Sequence, residues 1–330
     1  MELPATRTAD GDGRPFAAIH PPHTLGEIGR AAAAFGGVAV LLDSSASMPA
    51  LLDLLKGAQA VGAVGVLALL LLAETLHPFF DALRGRHRAA HAARNLALGA
   101  VNGALVAFVF AGVWGVAAGW AEARGVGLLA LAPLPTWLHA VLAILLLDAW
   151  TYAWHRLNHR LPVLWRLHRV HHADAAMDVT TAHRFHIGEI VLSSLLRVPL
   201  IVVLGAHLWE LVLYETLMFA VVQFHHADVA LPPRLDRALR AAVVTPALHK
   251  VHHSRERTDT DSNYSALFSW WDRLFGSFRT RADLSAIRLG LDEFDRPGDD
   301  TVAGMVRMPF APLHPSGDAA GDGLGDGSGR

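Results

Sequence analysis

The chain has 330 residues, 20 histidines, no cysteine and a formal charge of -2. Without cysteine there is no disulfide, no thiolate metal site and no thiol nucleophile, and the near-neutral charge leaves no electrostatic footprint for nucleic acid. Hydrophobic residues make up 52% and charged residues 18%. An ordinary soluble domain carries about 25% charged residues, and the shortfall here lies in long apolar runs, which points to a membrane.

Residues 1–23 are polar and rich in Gly, Pro and charge, without the positive patch and apolar core of a signal peptide. Ala31 to Leu42 is apolar but short and stops at Asp43, so it is not counted as a span. A helix needs about 20 apolar residues to cross the hydrocarbon core. Gly57 to Leu76, Asn95 to Trp120 and Thr136 to Trp154 meet that need. Ile187 to Leu204 and His207 to Phe224 read as a helical hairpin broken near Gly205, Ala206 and His207. Glu189, Arg197, Glu210 and Glu215 interrupt the hairpin, and such groups sit near the interface or turn into the protein. Residues 225–287 are polar and aromatic and read as a helical cap, with Trp270, Trp271, Phe275 and Phe278 partly at the interface. Pro315 to Arg330 is mostly Gly, Asp and Ser and reads as a tail. The expected fold is all-α, an integral membrane helical bundle of about four to five spans with a cytoplasmic helical cap carrying the histidine clusters. Its expected divisions are a polar tail and short apolar segment over 1–50, the membrane domain over 51–287, and a largely disordered C-terminal tail over 288–330.

The histidines carry the chemistry. His168-x-x-His171-His172 recurs as His249-x-x-His252-His253, and His155-x-x-x-His159 lies just upstream of the first. On a helix, positions i, i+3 and i+4 share one face, so each group is expected to aim two or three imidazoles at one point. Imidazole ligates iron, zinc, copper and nickel, and eight of them exceed the needs of one ion, which suggests two ions close together. Arg84, Arg86, Arg88 and Arg94 lie between the first two spans, and positive loops stay cytoplasmic. Counting spans from there puts His155, His225, His226 and the 249–253 group on that same side. His225 and His226 diverge by about 100° on a helix, so only one faces the site easily. His183 and His186 are spaced to share a face. His139, His207 and the other histidines stand alone and read as surface or satisfied core. Asp148, Asp174, Asp178, Glu189, Asp228 and Asp272 are candidates to accept the second N–H of a bound imidazole, although capping or surface charge is the commoner role for any one of them. Asn158 and Asn263 are in the same position.

These residues, with Phe224-His225-His226-Ala227-Asp228, Asp261-Ser262-Asn263-Tyr264 and Trp270-Trp271-Asp272, resemble the fatty acid hydroxylase/sterol desaturase superfamily of membrane di-iron proteins, over about residues 70 to 280. The chain departs from the family pattern at Ile187, where Pro is usual after His186, at Asp228, where Asn is commoner, and at His183, usually apolar. The resemblance implies two iron ions, O2 as co-substrate, an external electron donor and attack on an unactivated C–H bond of a lipid. It implies as metal ligands His155, His159, His168, His171, His172, His226, His249, His252 and His253, with His186 as a tenth, and it favours His226 over His225. Hydroxylation is the first expectation, with desaturation or ether-lipid monooxygenation as alternatives within the family. No haem or flavin domain is visible, so electrons are expected from a separate redox protein. A metal transporter would place ligands near the bilayer midplane, whereas these cluster at span ends. A haem carrier would pair single histidines inside spans, for which His139 and His207 lie too near span ends.

Overall fold

The computed structural model describes residues 48–80, 86–296 and 298–312. The Ala31 to Leu42 segment, Arg84, the N-terminal tail, the tail from Pro315, and His20, His23 and His314 lie outside the described residues. Among the described residues the architecture is helical, with isolated bridges but no strands. The longer helices are α1 (Met48–Leu76), α2 (Arg86–Leu105), α3 (Ala111–Arg124), α4 (Thr136–Arg160), α5 (Pro162–His172), α6 (Ile187–Leu204) and α7 (Leu208–His226). Short helices follow as α8 (Pro233–Leu239), α9 (Pro246–His252), α10 (Arg257–Thr260), α11 (Trp270–Leu274) and α12 (Val302–Arg307). Among the described residues four segments, Leu52–Leu76, His87–Leu131, Thr136–Arg160 and Ile187–Leu204, are long and apolar enough to cross a membrane. The second is longer than its sequence pattern suggests, because α2 and α3 continue into each other through a π-helical turn at Val106–Phe110. The helix α7 is not among the four, since Glu210, Glu215, Gln223 and two histidines lower its apolarity.

Large apolar side chains on these helices, among them Val61, Leu69, Phe108 and Val116, face outward. In lipid every backbone polar group must be satisfied within the segment, which a helix achieves. Inward, Phe110, Trp114, Leu147, Ile201, Leu211 and Tyr214 form the main core between α3, α4, α6 and α7. Two polar links cross it. Arg197 of α6 pairs with Glu215 of α7 beside the Trp114 ring, and the Trp114 indole N–H donates to the Ser194 carbonyl at 3.0 Å. The cap is tied to the bundle through Asp148 of α4, whose carboxylate accepts from the backbone of Leu267 and Phe268 and from the Trp271 indole at 2.8 Å.

Two chain breaks position the histidines. Pro162 disfavours helix at the residue before it, and Leu161 is extended at φ -99, ψ 117. The helix α4 therefore stops at Arg160, and α5 restarts with Pro162 in its first turn, where a missing N–H costs nothing. The α6–α7 turn is closed by Gly205 at φ 70, a left-handed conformation that favours glycine. A Cβ at Gly127 would lie 2.3 Å from the Gly205 nitrogen, so the two backbones touch there.

Residues 298–312, read from sequence as part of a disordered tail, pack instead. Met305 and Met308 are buried with Leu98 and Val170. The Arg169 guanidinium donates to the carbonyls of Met308 and Ala311 at 2.5 and 2.7 Å. Low sequence complexity starts only beyond this strap, which is why composition alone merged the two.

Candidate metal centre

The nine histidines from the doubled pattern, from His155-x-x-x-His159 and from the end of α7 come together as two groups. One nitrogen each of His155, His159, His168, His172 and His252 lie within 4.8 Å of one another, and so do those of His171, His226, His249 and His253. The sequence pattern suggested that each His-x-x-His-His serves one point. It is split instead. His168 and His172 join the first group while His171 joins the second, and His249 and His253 join the second while His252 joins the first. The reason is angular: i and i+4 differ by about 40° around a helix, but i+3 lies about 60° to the other side of i. Each motif thus contributes to both groups. The groups adjoin, since the His172 and His253 rings stack with centroids 4.4 Å apart.

The supporting bonds fix which nitrogen faces inward. His155 Nδ1 donates to the Tyr264 carbonyl at 2.7 Å, His252 Nδ1 to the Ser262 carbonyl at 2.6 Å, and His226 Nδ1 to the Val222 carbonyl at 2.7 Å. His168 Nδ1 donates to Glu189 Oε1 at 3.0 Å, which also accepts from the Asn158 amide. An imidazole that donates through Nδ1 presents a bare Nε2 lone pair. Among the buried atoms without a hydrogen-bond partner are Nε2 of His155, His159, His168, His172, His252 and His253. In the second group, His226 Nε2 lies 3.0 Å from Nε2 of both His171 and His249. Each buried, unpartnered polar atom costs about 1–3 kcal/mol, so a pocket of this kind is costly unless lone-pair acceptors fill it. Burial, reinforced by the neighbouring imidazoles, holds His171, His172, His249 and His253 well below the ordinary imidazole range. Burial lowers His252 to about 3. These rings are neutral at neutral pH, the form that ligates a metal. The donor set therefore fits two metal ions.

His186 is not brought to either group. It caps α6, its Nδ1 accepting from the Gly188 N–H at 3.0 Å while Nε2 lies 3.3 Å from the Val306 carbonyl. Nor does it share a face with His183, because the 3-10 turn Val179–His183 ends at Arg184 before α6 starts. His183 instead faces Gln223 and Phe219. His225 is buried, with its ring 3.9 Å from that of His249, but it belongs to neither group. Of the candidate carboxylates, Glu189 supports a histidine of the groups. Asp148 and Asp272 brace the cap, Asp174 takes His91, Asp178 caps the 3-10 turn and Asp228 pairs with Lys250. Asn263 braces the loop below α9 through the carbonyls of Leu248 and Arg279. The sequence motif contains Asp261 but gives it no role; it lies 3.6 Å from His159 Nδ1, and the carbonyls of Tyr264 and Ser262 are likewise not singled out. Backbone acceptors leave no residue-type signal.

The histidines His139 and His207, read as solitary, meet each other and Glu210 at the far ends of α4 and α7. Sixty-eight residues separate the two, and no motif spacing could reveal the meeting.

A helical membrane protein with two adjoining all-histidine groups at one end of its bundle is the class that fold and site define. Residues 140–277 match the fatty acid hydroxylase family model, in the region where the histidine motifs resemble the fatty acid hydroxylase/sterol desaturase superfamily. It is 31% identical to human (Homo sapiens) alkylglycerol monooxygenase over 146 residues, covering 43% of this chain and 30% of that protein. It is 28% identical to the ornithine lipid hydroxylase OlsE of Rhizobium tropici over 161 residues, 48% of this chain and 46% of that one. It is 24% identical to cholesterol 25-hydroxylase of Rattus norvegicus over 143 residues, 43% of this chain and 47% of that one. The match thus spans between about a third and a half of these relatives. No solved structure matches.

Proposed function

We propose that this protein is a membrane-bound oxygenase that hydroxylates a C–H bond of a lipid. Two iron ions are held by His155, His159, His168, His172 and His252 on one side and by His171, His226, His249 and His253 on the other. The observation that carries the reading is the pair of adjoining groups of buried, neutral imidazoles with unpartnered nitrogens. Bound iron would supply the redox chemistry that activates O2, which zinc lacks. The chain's own work is positional. The carbonyls of Tyr264, Ser262 and Val222 and the Glu189 carboxylate hold ring tautomer and orientation, and the buried setting excludes water. The apolar spans would admit a lipid and hold one carbon near the centre.

The names of the relatives support lipid as the substrate class, with sterol, ornithine lipid and alkylglycerol each represented. Ether-lipid monooxygenation is the second reading, favoured by the 31% identity to alkylglycerol monooxygenase. Arg88 and Arg94 beside the first span boundary support a cytoplasmic position for the histidine end, where a separate soluble redox protein could deliver electrons. The test is metal content and an optical spectrum of protein purified in detergent. Two irons per chain and no Soret band are expected. His252→Ala should lose metal and lipid oxidation together, and full activity with retained iron in that variant would sink the assignment.

A further inference from the structure

Beyond the histidine centre, the described residues hold one more cluster of potential ligands in the bundle. His139, in the first turn of α4, is buried, and Glu210, in the first turn of α7, is fully buried. His207 ends the α6–α7 turn and caps α7, with its side chain 28% exposed. One nitrogen from each imidazole and one carboxylate oxygen fall within 4.8 Å of one another. The two rings lie face to face, with centroids 4.4 Å apart and planes 4° from parallel. Glu210 Oε1 is 2.7 Å from His139 Nδ1 but 3.8 Å from His207 Nδ1, too far for a hydrogen bond. Glu210 Oε2 accepts the His207 backbone N–H at 2.9 Å, which fixes the carboxylate in place. His139 and His207 also line a cavity of about 220 Å³, walled further by Glu122, Leu129, Leu134 and Gly205. Solvent and ions can reach the imidazoles from it.

Sixteen residues separate His139 from His155 on α4, and sixteen separate Glu210 from His226 on α7. At 1.5 Å per residue, each interval is about 24 Å. The cluster therefore lies at the opposite end of the bundle and cannot share an ion with the nine-histidine centre.

We propose that His139, His207 and Glu210 form a separate binding site for one divalent ion of the zinc class. Two imidazoles and one carboxylate make a three-ligand set of a kind zinc accepts, with a fourth position left to solvent. Here that position is the cavity. Zinc has no geometric preference from its d electrons, so the stacked rings need only turn toward the ion. In binding, the His139–Glu210 hydrogen bond gives way and both partners become ligands. The ion joins α4 to α7 and to the α6–α7 turn, which itself rests on Gly127. Its role is to fasten this end of the bundle.

The test uses the full chain, loaded with iron and washed free of loosely held metal, then equilibrated with Zn2+ and passed through a desalting column. Wild type is expected to retain one equivalent of zinc more than His207→Ala and His139→Ala, while all three hold the same iron. The thermal midpoint of wild type should rise with Zn2+, and that of the variants should not. Equal zinc in wild type and His207→Ala, or a wild type that keeps no zinc, overturns the proposal. His207 lies on a turn and is partly exposed, so His207→Ala decides the question even where His139→Ala fails to fold. Because the readout is a difference in zinc between chains, its failure is distinct from any failure of the oxygenase reading.

Discussion

The two ends of α4 and α7 are built from the same residue type to different degrees. At one end nine imidazoles form two adjoining groups with bare nitrogens and few carboxylates. At the other end two imidazoles stack beside one buried carboxylate that already satisfies a ring N–H and a backbone N–H. The first arrangement leaves many polar atoms without partners and is costly until filled. The second is closed by its own hydrogen bonds and opens onto a cavity. Density of unpartnered donors, more than the number of histidines, separates a pocket that demands metal from one that can take it.

The comparison breaks most visibly at the nine-histidine end. His253→Ala removes one of four ligands from the second group, and lipid oxidation should fall to background with about half the iron lost, read by elemental analysis and product assay. An unchanged iron content would mean that the groups do not act as two centres. Glu189→Ala leaves every ligand in place but frees the His168 ring. Loss of a partner of this kind costs about 10–100-fold in metal affinity or activity, which an iron competition assay with a chelator would measure.

Acid should act on the same end. His252 is lowered from 6.5 to about 3 by burial, and His171, His172, His249 and His253 move in the same direction. In the metal-free protein the unfolded chain takes up protons first. Stability is therefore complete above pH 6.5 and is lost as the pH falls from there toward about 3. Thermal melts of metal-stripped protein in detergent from pH 7.5 to 4.5 should show a steady fall, and a flat profile would contradict neutral burial. Bound metal competes with the same protons, so iron loss should follow the same direction.

The smallest effect belongs to the other end. Gly205→Ala places a Cβ on a residue at φ 70, a conformation that costs an L residue about 1–2 kcal/mol. A lowered thermal midpoint with unchanged iron per folded chain is expected. A loss of iron would show that the two ends are coupled.

Much of the site was legible because metal chemistry demands one residue type at helical spacing. The pattern named eight of the nine histidines that converge, and apolar runs located the four long spans. The family resemblance, rather than spacing, chose His226 over His225. It also offered His186, which the fold uses as a helix cap. The supporting acceptors were less legible, because Tyr264, Ser262 and Val222 act through carbonyls that every residue carries.

What the sequence by itself determined was local: where helices run, where Pro162 stops one and starts the next, and which histidines share a turn. Local rules suffice there because helix geometry and backbone sterics act over a few residues. Only the tertiary structure decided that each His-x-x-His-His divides between two groups, that residues 298–312 pack as a strap, and that His139, His207 and Glu210 meet. Those outcomes depend on which faces of distant helices are pressed together. Packing sets that, and no spacing in the chain records it.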